Sequence, residues 1–297
     1  MSREKQLSCL YTLSNRGSRN YRRVTIDKKD GGSRTLLVPC GLLKGVQRNI
    51  LHHVLDERPV SPCARAYRKG TDIRGNASCH LGKRLVLKLD ISPFFDSILF
   101  PRVYSAAFPE TLFPPAAAML LTSLCCCNER LPQGSPASPA ISNLVMRPFD
   151  IYMDGWCRER GIAYTRYCDD MTFSGDFDAA ALCSKVRSYL EAMGFTLNEK
   201  KTKLLTGDVR QSVTGIVVND KLQVSREYRK KLRQEVYYCK KYGIDAHLER
   251  VEADTGIRWE KELYICSVQG RLRFVLQVNP QDDEFAGYCR EWKELFM

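Results

Sequence analysis

Hydrophobic and polar positions follow two periods along this 297-residue chain, and the switches between them mark its elements. The stretch YRRVTIDKKDGGSRTLLVP alternates on both sides of a DGG turn, which predicts a basic hairpin of two antiparallel strands. In LLKGVQRNILHHVLD, residues 42–56, Leu43, Val46, Ile50 and Val54 recur at helical spacing. An amphipathic helix packed on the hairpin is expected, with His52 and His53 read as surface and core residues of that helix rather than ligands. RLVLKLDISPFFDSI begins as a buried strand, Leu85, Leu87 and Leu89 alternating with Val86 and Lys88, and breaks at Pro93, so that Asp90 stands at the strand's end. AYTRYCDDMTFSGD reads as two strands, Tyr164 to Tyr167 and Met171 to Ser174, joined tightly through Cys168-Asp169-Asp170. Helical character covers Pro136 to Arg160 and AALCSKVRSYLEAMGF. A later helix over 225–241 has Ser225 as its N-cap, Tyr228, Leu232, Val236 and Cys239 on one face, and Arg226, Lys230, Arg233 and Lys240 on the other. Strands and helices thus alternate in an α+β pattern.

Composition narrows the class. With 44% hydrophobic and 27% charged residues, the chain has the balance of a soluble protein large enough for a substantial core. No run approaches the roughly 18 apolar residues that span a bilayer. The N-terminus is basic without an apolar stretch and cleavage site, so a cytoplasmic location and no membrane partner are expected. Thirteen cysteines form no CxxC pair, and most are expected to be buried thiols. The run Cys125-Cys126-Cys127 cannot aim three thiolates at one ion, and Cys79-His80 lacks a second ligand pair, so zinc is not expected. The net charge of +12 favours a polyanionic partner. Residues 1–48 carry eleven Lys and Arg against three acids, and residues 200–240 eleven against four. Basic flanks around a less basic centre suit a protein that grips nucleic acid on both sides of a metal site, although solvated faces give similar runs.

Adjacent carboxylates on a turn repel one another unless a cation or proton intervenes. Taken alone, Asp169-Asp170 fits a solvated turn at least as well as a metal site. Asp90, also at a strand end, makes the set oxygen-rich enough for Mg²⁺, and two such ions support in-line displacement at phosphorus.

LDISPFFDSI, LPQGSPASPAISNL and RYCDDMTF stand in an order and spacing that resemble the palm motifs of reverse transcriptases. GFTLNEKKTK, from Gly194, is similar to the next motif of that family, and the DGGSR hairpin to its fingers. Asn76-Ala77-Ser78-Cys79-His80 resembles the NAxxH element of bacterial retron reverse transcriptases, Val213-Thr214-Gly215 their VTG element, and YICSVQGRLRFVLQVNP their thumb. Two motifs depart from the pattern: Cys168 replaces the alanine of YADD, and QGSPASP replaces QGAPTSP.

The resemblance implies a right-hand polymerase fold. A basic segment at 1–19 would precede fingers at 20–85 and 101–132, a palm at 86–100 and 133–222, and a thumb at 223–297. It implies Asp90, Asp169, Asp170 and the Ile91 carbonyl as ligands of two Mg²⁺ ions, with Mn²⁺ as a substitute. Phe95 would be the steric gate against a 2′-hydroxyl, with Phe94 in the core. Gln133 and Gly134 would line the incoming nucleotide, and Lys28 or Lys29 and Arg34 would reach its triphosphate. Lys201 would stand near the leaving pyrophosphate as a candidate general acid. Asn76, His80, Arg226, Lys230 and Arg233 are the candidate RNA contacts. The implied partners are a structured non-coding RNA that is both template and primer, its DNA product, deoxynucleoside triphosphates and a separate effector protein. The implied task is retron-type synthesis of single-stranded DNA from a guanosine 2′-hydroxyl, in antiphage defence. Rival readings are a mobile-intron or other bacterial defence reverse transcriptase and, from another class, a catalytically idle RNA-binding scaffold.

Overall fold

The computed structural model describes residues 2–27 and 31–296, so Lys28 and Lys29 lie outside the described residues. The chain forms two compact units, the first from residues 1–72 and 85–204, the second from 73–84 and 205–297. The short segment 73–84, which precedes Asp90 in the chain, folds with the C-terminal part.

The first unit opens with a helix where only a basic segment was expected. α1 (Arg3–Arg16) starts at Ser2, whose side chain accepts from the Lys5 amide, an N-cap that sequence inspection passed over. Leu13 enters the core, and the buried Asn20 side chain donates to the Leu13 carbonyl at 2.7 Å, which closes the C-terminal end of the helix. β1 (Tyr21–Asp27) and β2 (Ser33–Pro39) form the expected hairpin, paired from Tyr21↔Pro39 to Asp27↔Ser33. α2 (Gly41–Ile50) buries Leu43, Gln47 and Ile50 and continues as one π turn over Leu51–Leu55. His52 and His53 are both exposed, which corrects the assignment of one to the core: the wider turn carries both outward, and His52 Nδ1 meets Asp56 at 3.2 Å.

Beyond α3 (Ile73–Ser78), which belongs to the second unit, β3 (Leu85–Asp90) begins the central sheet of the first. α4 (Phe100–Ala107), α5 (Pro115–Cys125) and the 21-residue α6 (Ser138–Arg158) follow, each with proline in its first turn, where a missing N–H costs nothing. β4 (Ala163–Tyr167), β5 (Asp170–Gly175) and α7 (Ala179–Ala192) follow, and the unit ends at Leu204 within β6 (Lys203–Thr206). The sheet order is β4-β5-β3-β6, with β5 antiparallel to both β4 and β3. One continuous core runs from Leu13 to Leu197 and includes Leu87, Leu89, Ile141, Phe149, Phe173 and Val186. Cys125, Cys126 and Cys127 are buried thiols, as expected, and burial pushes the Cys126 thiol up to about 12.

In the second unit, β7 (Ser212–Val213), β8 (Ile216–Val217) and β9 (Gln223–Val224) form an antiparallel meander. Thr214 and Gly215 both have positive φ, the conformation that a two-residue hairpin turn demands. Four helices follow: α8 (Arg226–Tyr242), α9 (Ile244–Thr255), α10 (Lys261–Val278) and α11 (Asp283–Phe296). Ser225 caps α8 through the Tyr228 amide, and Leu232, Val236 and Cys239 are buried as the pattern required. Trp292 is fully buried on α11, its indole donating to the Ile265 carbonyl. No helix among the described residues is long and apolar enough to cross a membrane.

Docking of α1 predicts that Leu13→Ala lowers the unfolding free energy by about 2–5 kcal/mol, the usual cost of such a truncation in a core. Urea denaturation followed by circular dichroism checks it. A loss within about 0.5 kcal/mol, typical of a surface position, would place the helix outside the core.

Candidate active site

The three aspartates are brought to one end of the central sheet by strand register. β3 is held between β5 and β6, and its last residue, Asp90, pairs directly with Asp170, the first residue of β5. Asp170 is therefore a strand residue rather than part of the turn, paired also with Tyr167 of β4. The turn is Cys168-Asp169, with Cys168 at φ +62°, a left-handed conformation that costs a non-glycine residue about 1–2 kcal/mol. Two main-chain tethers hold the tip. The Ile91 amide donates to the Asp169 carbonyl at 3.2 Å, and the Arg166 guanidinium Nη1 donates to the Cys168 carbonyl at 2.9 Å. A hydrogen bond from a charged donor contributes about 1.5–3 kcal/mol, enough to offset the strain.

Arg166 was assigned no role from sequence, yet it is fully buried. Its Nε donates to Asp150 Oδ1 at 2.8 Å and its Nη2 to Asp150 Oδ2 at 2.7 Å, while the Tyr164 hydroxyl donates to the same Oδ1 at 2.8 Å. Strand alternation places Tyr164 and Arg166 on one inward face, and an arginine on a buried face calls for a carboxylate partner. That partner, Asp150, lies on α6 and could not be singled out by spacing.

Electrostatics around the tip are those of crowded acids. The Asp170 carboxyl is pushed up to about 6, by loss of hydration first and then by the charges of Asp169 and Asp90. Asp90 is buried, and its Oδ2 has no hydrogen-bond partner among the described residues. Its Oδ1 accepts from the Lys201 ammonium at 2.9 Å, and this bond, ahead of the surrounding acidic charge, raises the lysine's pKa. Lys201 is half-exposed, on a 3-10 turn over Glu199–Lys201, and that segment is tied to β3 by the Asn198 amide on the Asp90 carbonyl at 2.8 Å. Among the described residues no three His, Cys, Asp or Glu side chains are already gathered into a metal cage. The donor set nonetheless fits a hard divalent cation, since it is all oxygen and includes a buried oxygen with no partner.

The other expected residues divide. Phe94 is buried against Phe195, ring centroids 5.9 Å apart, while Phe95 is only half-buried and meets Phe94 edge-on at 5.2 Å. Gly134 has φ +126°, and a Cβ there would stand 2.7 Å from the Leu37 carbonyl oxygen. The glycine is thus required by close approach of the loop to β2, where the Leu37 amide also donates to the Gln133 carbonyl at 2.8 Å. Ser135 donates to Gln47 Oε1 at 2.8 Å, and the buried Gln47 amide donates to the Tyr21 hydroxyl and the Leu124 carbonyl. Arg34 is exposed near the turn end of the hairpin.

In the second unit Asn76 and His80 are both buried, which corrects their assignment as direct RNA contacts. Asn76 Nδ2 donates to Thr214 Oγ1 at 3.5 Å, and Thr214 Oγ1 donates to the Ile73 carbonyl at 3.3 Å, so that α3 holds the strained Thr214-Gly215 turn. Arg226 and Lys230 are exposed on α8. Arg233 is instead bonded to Glu284 on α11, and Lys240 to Glu291 at 2.7 Å, so this part of the cationic face packs against an acidic helix.

The fold can be compared with a solved telomerase from Candida albicans in complex with a fragment of telomeric RNA. The TM-score is 0.50 at 11% identity, covering 97% of this chain and 67% of that one. The chain accordingly has the α+β fold of that structure. In sequence, the family profile "Reverse transcriptase (RNA-dependent DNA polymerase)" matches residues 26–241. The retron Mx65 reverse transcriptase of Myxococcus xanthus is 35% identical over 288 residues, covering 90% of this chain and 63% of the relative. The retron Ec86 reverse transcriptase of Escherichia coli is 32% identical over 240 residues, covering 78% of this chain and 73% of the relative. The chain belongs to the reverse transcriptase family, in its bacterial retron branch.

Gly134→Ala is expected to destabilise the protein by about 1–3 kcal/mol, because the added carbon meets backbone that cannot rotate away. It is also expected to raise the KM for nucleotide if the loop borders the substrate. Thermal melting with a nucleotide titration checks both, and an unchanged melting temperature would contradict the close approach.

Proposed function

We propose that this chain extends a primer on an RNA template with deoxynucleoside triphosphates, using Asp90, Asp169 and Asp170 to hold two Mg²⁺ ions. The observation that carries the reading is the register Asp90↔Asp170 beside the Asp169 tip, which collects three carboxylates at one sheet end with a buried oxygen free to bind. When bound, such ions lower the pKa of the primer hydroxyl and offset charge on the transferring phosphate. The Ile91 main chain, hydrogen-bonded to Asp169, keeps the end of β3 and the tip in register. Lys201, protonated at neutral pH, supplies a cation beside Asp90 and a proton for the leaving pyrophosphate. Phe95 presents a half-buried ring as the sugar gate, and Gln133 and Gly134 are assigned to the incoming nucleotide. Arg34, on β2, is assigned to the triphosphate, together with Lys28 or Lys29, which lie outside the described residues.

The retron relatives support a narrower reading. In that reading, which goes beyond what those relatives' names state, the chain copies part of a dedicated structured RNA into single-stranded DNA, primed from a guanosine 2′-hydroxyl, and acts with a separate effector in antiphage defence. Because this chain spans only 63% of the M. xanthus relative, activity, template and partners are all assigned here as proposals. Exposed Arg226 and Lys230 on α8 are the RNA contacts retained.

Primer extension on poly(rA) with oligo(dT) and Mg²⁺ tests the reaction. Asp169→Asn and Asp170→Asn are each expected to lose about 10²-fold or more in kcat, at the scale of removing a group that stabilises transition-state charge. Comparable synthesis by both variants would remove the aspartates from the site. Phe95→Ala is expected to keep deoxynucleotide use while admitting ribonucleotides, read from competing dNTP and rNTP incorporation; unchanged discrimination in an active variant moves the gate elsewhere. Nucleic acid copurifying with the protein is expected to sequence as one RNA joined through a 2′ linkage to its DNA copy, and heterogeneous RNA without DNA would reject the retron-type product.

A further inference from the structure

We propose that Arg166 is the positioning residue of the catalytic hairpin, acting through the Cys168 carbonyl on the direction in which Asp169 and Asp170 present their carboxylates. The proposal rests on the reading of those aspartates given above.

Asp150 neutralises the guanidinium, and both side chains are fully buried, so the pair adds no net charge beneath the tip. What it adds is direction. A guanidinium is planar, and two bonds to one carboxylate fix its orientation in the plane, which leaves Nη1 aimed at a single point. That point is the Cys168 carbonyl. The main chain of Arg166 is held as well, its amide donating to Cys63 and its carbonyl accepting from the Arg65 amide.

The hairpin tip therefore has one tether to β3, through Ile91 and Asp169, and one to α6, through Arg166 and Asp150. Asp169 lies between the two tethered carbonyls, and its side-chain direction follows from them. Crowding with Asp90 and Asp170 acts to spread the tip, and the left-handed Cys168 would relax in the same movement. α6 begins at Ser138, directly after the Gln133-Gly134 loop, so the same helix sets the tip and that loop in register.

Lysine at position 166 keeps a cation for Asp150 but has one ammonium, which cannot satisfy the carboxylate and the Cys168 carbonyl in fixed directions. Tyr164→Phe is the matched control, since it removes a different hydrogen bond from the same carboxylate and leaves the Cys168 tether intact. Primer extension gives kcat and the nucleotide KM, thermal melting gives stability, and electron paramagnetic resonance gives Mn²⁺ binding without nucleic acid. Arg166→Lys is expected to lose about tenfold or more in kcat and to weaken Mn²⁺ binding, with KM within about twofold; Tyr164→Phe is expected to melt earlier with kcat and Mn²⁺ binding within about twofold. Equal kcat and equal Mn²⁺ affinity for the two folded variants overturn the proposal. Should Arg166→Lys not fold, Asp150→Asn decides. It keeps Arg166 but removes half of its fork, so lowered kcat and Mn²⁺ binding support the proposal and unchanged values overturn it. Asp169→Asn runs alongside: if it stays active, the site reading falls and the proposal with it, whereas an inactive Asp169→Asn beside a fully active, folded Arg166→Lys overturns the proposal alone.

Discussion

Like charges at the end of a sheet are the constraint around which the first unit is built. The β3–β5 ladder sets Asp90 opposite Asp170, and the turn before β5 adds Asp169, so three acids compete for the same hydration. Nothing in strand pairing favours this arrangement, and a hairpin free to choose would open. It is held by bonds that do not involve the carboxylates themselves: main chain to main chain at Ile91 and Asp169, and a buried guanidinium on the Cys168 carbonyl. These tethers fix the backbone that carries the three acids without drawing on their side-chain oxygens.

The same economy appears at the loop that leads into α6. Gly134 lies so close to Leu37 that only hydrogen fits, and Ser135 reaches Gln47 in the first turns of α2. Hairpin, helix and loop are thereby joined by polar contacts inside an apolar core, each with its partners satisfied. A buried network of this kind specifies one arrangement, because any displacement leaves an unpaired donor or acceptor out of reach of water.

In the second unit, polar side chains that look like ligands from sequence serve the turn instead. Asn76 and Thr214 meet where α3 crosses the β7–β8 turn, and the side-chain bonds of Thr214 compensate a backbone conformation it would otherwise avoid. The cationic face of α8 is likewise divided. Arg229 and Arg233 engage Asp282 and Glu284, leaving Arg226 and Lys230 toward solvent. Counting basic residues along a helix overstates what a polyanion would meet, because an acidic neighbouring helix consumes part of the charge.

Local pattern determined the hairpin, β3, β4, β5, α7 and the Ser225-capped helix, since side-chain period and capping chemistry are properties of neighbours in the chain. The order of the motifs also pointed to the family, as the family match over residues 26–241 bears out. Position in space was a separate matter. That both histidines of the π turn face outward follows from a local change of helix type that periodicity does not announce, and that Asp170 begins a strand, that Asn76 and His80 are buried, and that α1 enters the core through Leu13 each depend on partners far along the chain. Arg166 makes the difference plain. Its place on an inward strand face was legible in the alternation of β4, but its partner Asp150, sixteen residues earlier on a helix, became its neighbour only when α6 packed on the sheet. Periodicity reports which way a side chain points, and only tertiary packing decides what it meets.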